Sequence, residues 1–227
     1  MHRMRLTAGY MSIGFILIFL FCGCALYDQF FGDEEEKRPE ELMAEGRDRL
    51  EKGDYEAATE AFQSIKDKYP YSKYAVEAEM KLADSLYKRK EYDAAYVAYD
   101  DFERLHPKDR NIPYIIFRKG MCNFLQVISA DRDQSHTLRA KEDFERLIKN
   151  FPRDDYVNKA RRNLRECLIS LAEYELYVGH YYYKMGKYRT AMGRYRYLVE
   201  NYPDMGQYHE ALEYLAKCKE RMAEEGK

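Results

Sequence analysis

One spacing recurs four times along this chain and limits what it can become: a small residue, an aromatic four positions later, and a proline eight positions after that. The four copies are Ala58-Phe62-Pro70, Ala95-Tyr99-Pro107, Ala140-Phe144-Pro152 and Ala191-Tyr195-Pro203. A fixed spacing over this range marks a repeat array, in which each unit buries its apolar face against its neighbours. The proline intervals are 37, 45 and 51 residues, so the units share a pattern but not a length. Between the copies, apolar residues return every three or four positions, the period of amphipathic helices.

Each position has a physical reason. A second set of small residues, Gly46, Ala83, Gly120, Gly179 and Ala216, falls about twelve or thirteen residues from the repeat markers. A small residue on each of two antiparallel helices lets the backbones approach closely, and the aromatic one turn beyond the alanine fills the space beside the contact. Gly53-Asp54 and Gly186-Lys187 suit tight turns within hairpins, and each proline stops the helix before it. The unit resembles the tetratricopeptide repeat, a helical hairpin of about 34 residues. The expected fold is therefore all-α: a tetratricopeptide-repeat superhelical array of about five helical hairpins, the last one incomplete.

The pattern places helices at Glu40–Lys52, Tyr55–Lys68, about Tyr74–Arg89 and Tyr92–Leu105. A third pair starts near Pro113 and resumes near His136, after a turn swollen by residues 129–135. From Val157 to Met185 the apolar period runs without a break, with Asp154 or Asp155 as an N-cap and Gly186 as the stop. One helix of roughly 45 Å follows at about 1.5 Å per residue, long enough to project from or brace the array. Helices at Thr190–Asn201 and Gln207–Glu224 complete the chain.

The first residues read as a targeting signal. Arg3 and Arg5 precede an apolar run from Ile13 to Phe21, too short for a spanning helix of about 20 residues but suited to the core of a secretory signal. Gly23-Cys24 at its end resembles a bacterial lipoprotein signal, although Phe21 stands where leucine is usual. The reading is a signal peptide over residues 1–23, lipidation at Cys24, a flexible linker over 24–39 and a repeat domain over 40–227. A plain cleaved signal and an uncleaved anchor are the alternatives. Loss of residues 1–23 removes two arginines and no acid, leaving 36 basic and 40 acidic residues and moving the formal charge from −2 to −4. That balance offers nucleic acid no electrostatic footprint. Residues 33–39, Asp-Glu-Glu-Glu-Lys-Arg-Pro, lack apolar periodicity and read as a solvated spacer.

Sites for chemistry are sparse. No phosphate-binding loop, nucleophile elbow or HExxH pair is present, and no cofactor is expected. Cys122, Cys167 and Cys218 lack metal-ligand spacing and read as buried thiols, with one disulfide as the alternative. His106, His136, His180 and His209 are scattered and read as surface or helix-end residues. Glu173 and Glu175 stand two apart on a helix and point to different faces. Tyr181, Tyr182 and Tyr183 read as packing with one exposed ring.

Three stretches together resemble one family. They are Tyr69-Pro70-Tyr71-Ser72-Lys73-Tyr74-Ala75, then Asp131-Arg132-Asp133-Gln134 ahead of Ala140 and Phe144, then the run from Leu171 to Tyr182. Their order is similar to that of the BamD, or ComL-like, lipoproteins of the outer-membrane β-barrel assembly machinery, over about residues 40–205. Members usually end in a complete fifth hairpin, whose second helix is missing here. The resemblance implies a non-enzymatic protein anchored to the periplasmic face of the outer membrane through its lipid. It would dock the barrel-forming component and other assembly lipoproteins and receive unfolded outer-membrane proteins through a C-terminal segment ending in an aromatic. It further implies that the first helix of each hairpin lines an inner groove. Two rows are assigned to that groove: Met43, Met80 and Phe117, three before the small residue, and Leu50, Tyr87 and Phe124, four after it. Interhairpin packing is the other reading of the same residues. The competing functional reading is another envelope tetratricopeptide protein, coordinating cell-wall synthesis with outer-membrane constriction.

Overall fold

The computed structural model describes residues 36–127 and 133–225, and among these the regular structure is entirely helical. Helices α1 (Pro39–Lys52), α2 (Tyr55–Lys68), α3 (Ala75–Lys88), α4 (Tyr92–Leu105), α5 (Ile112–Phe124), α6 (Ser135–Asn150), α7 (Val157–Lys184), α8 (Tyr188–Asn201) and α9 (Tyr208–Glu225) follow in order. Cys24, Asp131 and Arg132 lie outside the described residues. The chain divides into residues 1–41 and a unit from Leu42 to Lys227. In the first, Arg38 meets Glu40 at 3.2 Å and Glu41 at 2.6 Å. In the second, each helix from α2 onward packs on the next along the chain. This is the tetratricopeptide-repeat arrangement of helical hairpins.

Proline sets the ends of the second arms. Tyr69, His106, Phe151 and Tyr202 each precede a repeat proline, and all four leave the helix at φ near −130° and ψ near 50°. The steric demand of the proline ring on the residue before it accounts for this common exit. Turns within hairpins need a left-handed residue, supplied by Gly53 at φ 80° and Gly186 at φ 73°. The second hairpin uses Lys90 at φ 64° in the same place, a conformation that costs a residue with a side chain about 1 kcal/mol. Asp54 caps α2, its Oδ1 accepting from the Ala57 N–H at 3.3 Å.

Two expectations change. The long helix takes Tyr156 as its N-cap without a side-chain bond; Asp154 instead accepts from the Tyr156 N–H at 2.9 Å and shapes the turn before the helix. Ala216 is exposed, because among the described residues no helix follows α9 to cover it, and α9 is held through Ala211 and Cys218 instead.

The repeat alanines are the tightest points of the core. Ala58, Ala83, Ala95, Ala140 and Ala191 are all fully buried. A Cβ added to Gly46 would lie 2.6 Å from the Phe62 ring, and one added to Gly120 would lie 2.6 Å from the Phe144 ring. At Gly179 the same atom would run into Tyr195. The small residue and the aromatic are thus two halves of one contact, since the ring lies in the space a side chain would take.

Candidate functional site

Two helix faces compete for the role of groove. The row of Met43, Met80 and Phe117 is not an exposed strip: Met43 is 1% exposed and Phe117 is 7% exposed, both in the core, and only Met80 stays half-buried. The physical reason is helical geometry. Residues three before and four after a small residue lie on the stripe that carries it, and that stripe packs inside the hairpin. Leu50, Tyr87 and Phe124 on the other row are half-buried and lean on the same interior clusters.

An open cleft lies one residue further round the helices, a rotation of about 100°. Its volume is about 400 Å³, and the first helices of three hairpins line it: Leu50 and Glu51 from α1, Lys81, Asp84 and Lys88 from α3, and Tyr114 and Arg118 from α5, with Tyr55 at the start of α2. Leu50 is therefore the groove residue read from the sequence that reaches this cleft wall. Tyr87 contributes from beneath, its ring 4.6 Å from the Arg118 guanidinium.

The polar groups in the cleft are ordered by one carboxylate. Asp84 Oδ1 accepts from the Tyr99 hydroxyl at 2.7 Å and from the Tyr114 hydroxyl at 2.5 Å, and Oδ2 lies 3.6 Å from Lys81 Nζ. Arg118 Nε donates to the Tyr114 oxygen at 2.9 Å. Burial pushes the Tyr114 phenol far above its ordinary range, with Asp84 adding to it, so Tyr114 remains a neutral donor to Asp84. Burial opposes the Arg118 charge, but Tyr114, Tyr99 and Asp84 outweigh it and keep the guanidinium protonated.

A second polar cluster is closed. The Lys119 ammonium, buried between helices, is bound by Asp100 and Glu103, while Arg146 holds Glu103 and donates to Asp143 at 2.9 Å. Burial raises Glu103, but Arg146 and Lys119 overcome it and leave its pKa lowered; for Asp143 burial prevails and its pKa is raised. These charges tie α4, α5 and α6 together and specify register.

The remaining residues read from the sequence are structural or solvent-facing. Cys122, Cys167 and Cys218 are buried free thiols, and burial pushes Cys122 and Cys167 up to about 12, which removes thiolate chemistry at neutral pH. His106 is the C-cap of α4 and meets Glu79 at 2.7 Å, and His180, near the end of α7, bridges the Tyr195 hydroxyl at 2.8 Å and Glu210 at 3.1 Å. His136 meets Asn123 at 3.1 Å. Glu173 is exposed and Glu175 buried against Arg194 at 3.2 Å, on different faces as their spacing requires. Tyr181 is the exposed ring of its triplet, with Tyr182 and Tyr183 packed inward. Among the described residues no group of acidic, histidine or cysteine side chains could hold a metal ion, and no helix is long and apolar enough to cross a membrane.

Similarity to known proteins is broad in sequence. The chain is 26% identical over 200 residues to the outer membrane protein assembly factor BamD of Pasteurella multocida, covering 84% of this chain and 77% of that one. It is 29% identical over 189 residues to the BamD of Xylella fastidiosa strain 9a5c, covering 79% of this chain and 65% of that one. With the BamD of Neisseria meningitidis serogroup B it shares 29% identity over 153 residues, 63% of this chain and 57% of that one. The last two alignments span less than two thirds of those relatives. Among solved structures, the TPR2AB domain of yeast Sti1 in its pHSP90 complex aligns over 82% of this chain and 74% of its own at 16% identity, with a TM-score of 0.49. Residues 35–227 match the YfiO family. With that match covering all of the described helices, the chain belongs to the YfiO family of outer membrane lipoproteins.

Proposed function

We propose that this protein is a non-enzymatic scaffold for outer-membrane protein assembly, anchored through a lipid on Cys24 to the periplasmic face of the outer membrane. It docks the barrel-forming component and other assembly lipoproteins, and it receives unfolded outer-membrane proteins through their C-terminal segments. The observation that carries the reading is the cleft formed by α1, α3 and α5, in a chain whose relatives are named outer membrane protein assembly factors. An extended segment presents side chains on two faces. One face can rest on Leu50 and the tyrosines while the other stays free for strand pairing.

Family membership supports the anchor, as does the apolar run before Gly23-Cys24. A lipid chain supplies membrane affinity without any part of the repeat fold, so Cys24→Ala should leave a folded protein released from the membrane. The experiment for the whole reading is co-purification from detergent-solubilised membranes. A barrel-forming partner in the same complex is the expected result. Recovery of cell-wall synthases instead would replace this reading with a role in coordinating wall synthesis and constriction.

A further inference from the structure

The turns that join one hairpin to the next differ in charge. Residues 66–74 carry three lysines and one aspartate, and residues 104–111 carry two arginines, one lysine and one aspartate. The third such turn, residues 149–156, is balanced at two cations and two acids, and the fourth, residues 200–207, carries Glu200 and Asp204 without a cation. The excess positive charge therefore sits on the first two turns of a chain that is negative overall. Both acids there are engaged by the fold: Asp67 accepts from the Gln63 amide at 2.8 Å, and Asp109 from the Asn111 N–H at 2.7 Å. Lys73, Lys108 and Arg110 are exposed and meet no carboxylate among the described residues. Two large apolar side chains project beside them: Tyr71 in the first turn is 101% exposed, and Leu105 at the end of α4 is 56% exposed.

These two turns share one edge. Tyr99 meets Asp84 and His106 meets Glu79, so α3 and α4 run antiparallel and the end of α4 lies beside the start of α3. The chain enters its main unit at the same edge, because Leu42 belongs to one cluster with Ile65, Tyr69 and Tyr74, and the last two flank the first turn. Fewer than twenty residues separate Leu42 from Cys24, a span of at most about 65 Å even when fully extended. A lipid on Cys24 thus keeps this edge, rather than the acidic fourth turn, on the shortest tether to a bilayer. Lysine and arginine close to an anionic leaflet are attracted to it, an effect that fades within a Debye length. Tyrosine, apolar in its ring and polar at its hydroxyl, suits the level of the lipid headgroups. Tether, positive charge and projecting apolar side chains coincide here.

We infer that the edge formed by the first two inter-hairpin turns rests on an anionic phospholipid surface, with Tyr71 and Leu105 at headgroup depth and Lys73, Lys108 and Arg110 on the lipid phosphates. This rests on the proposed lipid anchor and adds what a lipid on a linker does not supply: a fixed edge of the array toward the membrane.

The chain has no tryptophan, so Tyr71→Trp introduces a single fluorescent reporter in the first turn, and Tyr197→Trp places one on the exposed side of α8 as a control. The mature lipoprotein carrying either change is reconstituted into phosphatidylcholine vesicles with or without phosphatidylglycerol, with brominated acyl chains as a short-range quencher, and is isolated by flotation. In the vesicles with phosphatidylglycerol the Tyr71→Trp emission should shift to the blue and be quenched, while that of Tyr197→Trp should not. Adding Lys108→Glu and Arg110→Glu to the Tyr71→Trp protein should lower the quenching at least about fivefold, the factor that one cation contributes near an anionic leaflet. Raised salt should act in the same direction. Both residues are exposed, and a melt that matches the wild type confirms folding. Protein that fails to float overturns the anchor, and the inference with it. A floating protein whose Tyr71→Trp emission is unquenched overturns the inference and leaves the anchor standing. Equal quenching with and without phosphatidylglycerol, or no response to the charge reversals, overturns the anionic surface. Equal quenching of Tyr71→Trp and Tyr197→Trp would show no fixed edge toward the bilayer and overturn the inference as well.

Discussion

Helices α3 and α9 both begin five residues beyond a repeat proline, at Ala75 after Pro70 and at Tyr208 after Pro203, so their residues correspond one for one. Ala78 and Ala211 match, and both are fully buried against the helix before them. Ala83 and Ala216 also match, yet Ala83 is fully buried beside Ala95 and Tyr99 while Ala216 faces solvent. One sequence register therefore carries two faces with different dependence. The face that meets the preceding hairpin is complete once the helix forms, whereas the face that meets the helix's own partner has meaning only where a second arm is present.

The largest effect that sharpens this comparison is a charge at the covered face. Ala83→Glu puts a carboxylate into the buried apolar cluster that holds Ala95 and Tyr99. It should cost at least about 3 kcal/mol, the range for an uncompensated buried charge. A thermal melt or urea titration reads it, and a variant as stable as the wild type would mean that α3 and α4 do not meet as described.

Overpacking comes next. Gly179→Leu drives a side chain into the Tyr195 ring, and Ala191→Leu enlarges the opposite member of the same hairpin. Each should destabilise by about 1–3 kcal/mol, with the better helix propensity of leucine over glycine returning under about 1 kcal/mol at Gly179. Retained stability in both would disconnect the small residue from the aromatic and break the repeat rule at its fourth copy.

How much of this was legible beforehand follows from the same geometry. The hairpins, their proline exits and the Gly-aromatic contacts were readable because each rests on a residue with one strong local property. Glycine lacks a Cβ, proline restricts its predecessor, and alanine permits close approach. The helix from Val157 to Lys184 was readable because its apolar period never breaks. The open cleft lies one residue out of phase with the two rows taken from the repeat register. Positions three before and four after the small residue lie on the buried stripe, hence Met43 and Phe117 in the core. The exposed face carries Lys81, Lys88, Tyr114 and Arg118, residues that look like ordinary helix surface until three hairpins bring them together. In the sequence, Lys81 and Arg118 stand two before the small residues Ala83 and Gly120, Lys88 five after Ala83 and Tyr114 six before Gly120. The closed network around Lys119 was equally invisible, because its five charged members come from three helices and no local pattern joins them.

A smaller effect separates the interior of the fourth hairpin from that of the second. In the fourth, burial holds the Glu175 carboxyl above its ordinary range, with Arg194 opposing. A folded acid with a raised pKa keeps its proton more tightly than the unfolded chain does, so its contribution falls as pH rises from the unfolded value through the folded one. Glu103 in the second hairpin has a lowered pKa and the opposite sign: its contribution is present above the unfolded value and lost as pH falls through the folded one. Glu175→Gln should therefore remove this fall as pH rises through the acid range and leave the contributions of Glu103 and Asp143 in place. At neutral pH stability should change by no more than about 1 kcal/mol, since the Arg194 attraction offsets part of the desolvation. Melts at a series of pH values check the slope, and an unchanged profile would mean that Glu175 is solvated.

The smallest effect is the counterpart of the first. Ala216→Glu places the same side chain at the same register position, on a face that solvent already reaches. A substitution of this kind normally falls within about 0.5 kcal/mol, and the new acid stays hydrated. Glu213 and Glu220, one turn away on either side, add a small repulsion that salt would screen. The expected result is a melt that overlays the wild type, against the loss at Ala83. A substantial loss at Ala216 would mean that this face is covered in solution. Size-exclusion chromatography of the two proteins would then show whether a second copy supplies the cover, through a wild-type species that becomes smaller in the variant. An unchanged elution volume together with an unchanged melt leaves the difference between α3 and α9 where the packing puts it, in a second arm that follows α3 and, among the described residues, does not follow α9.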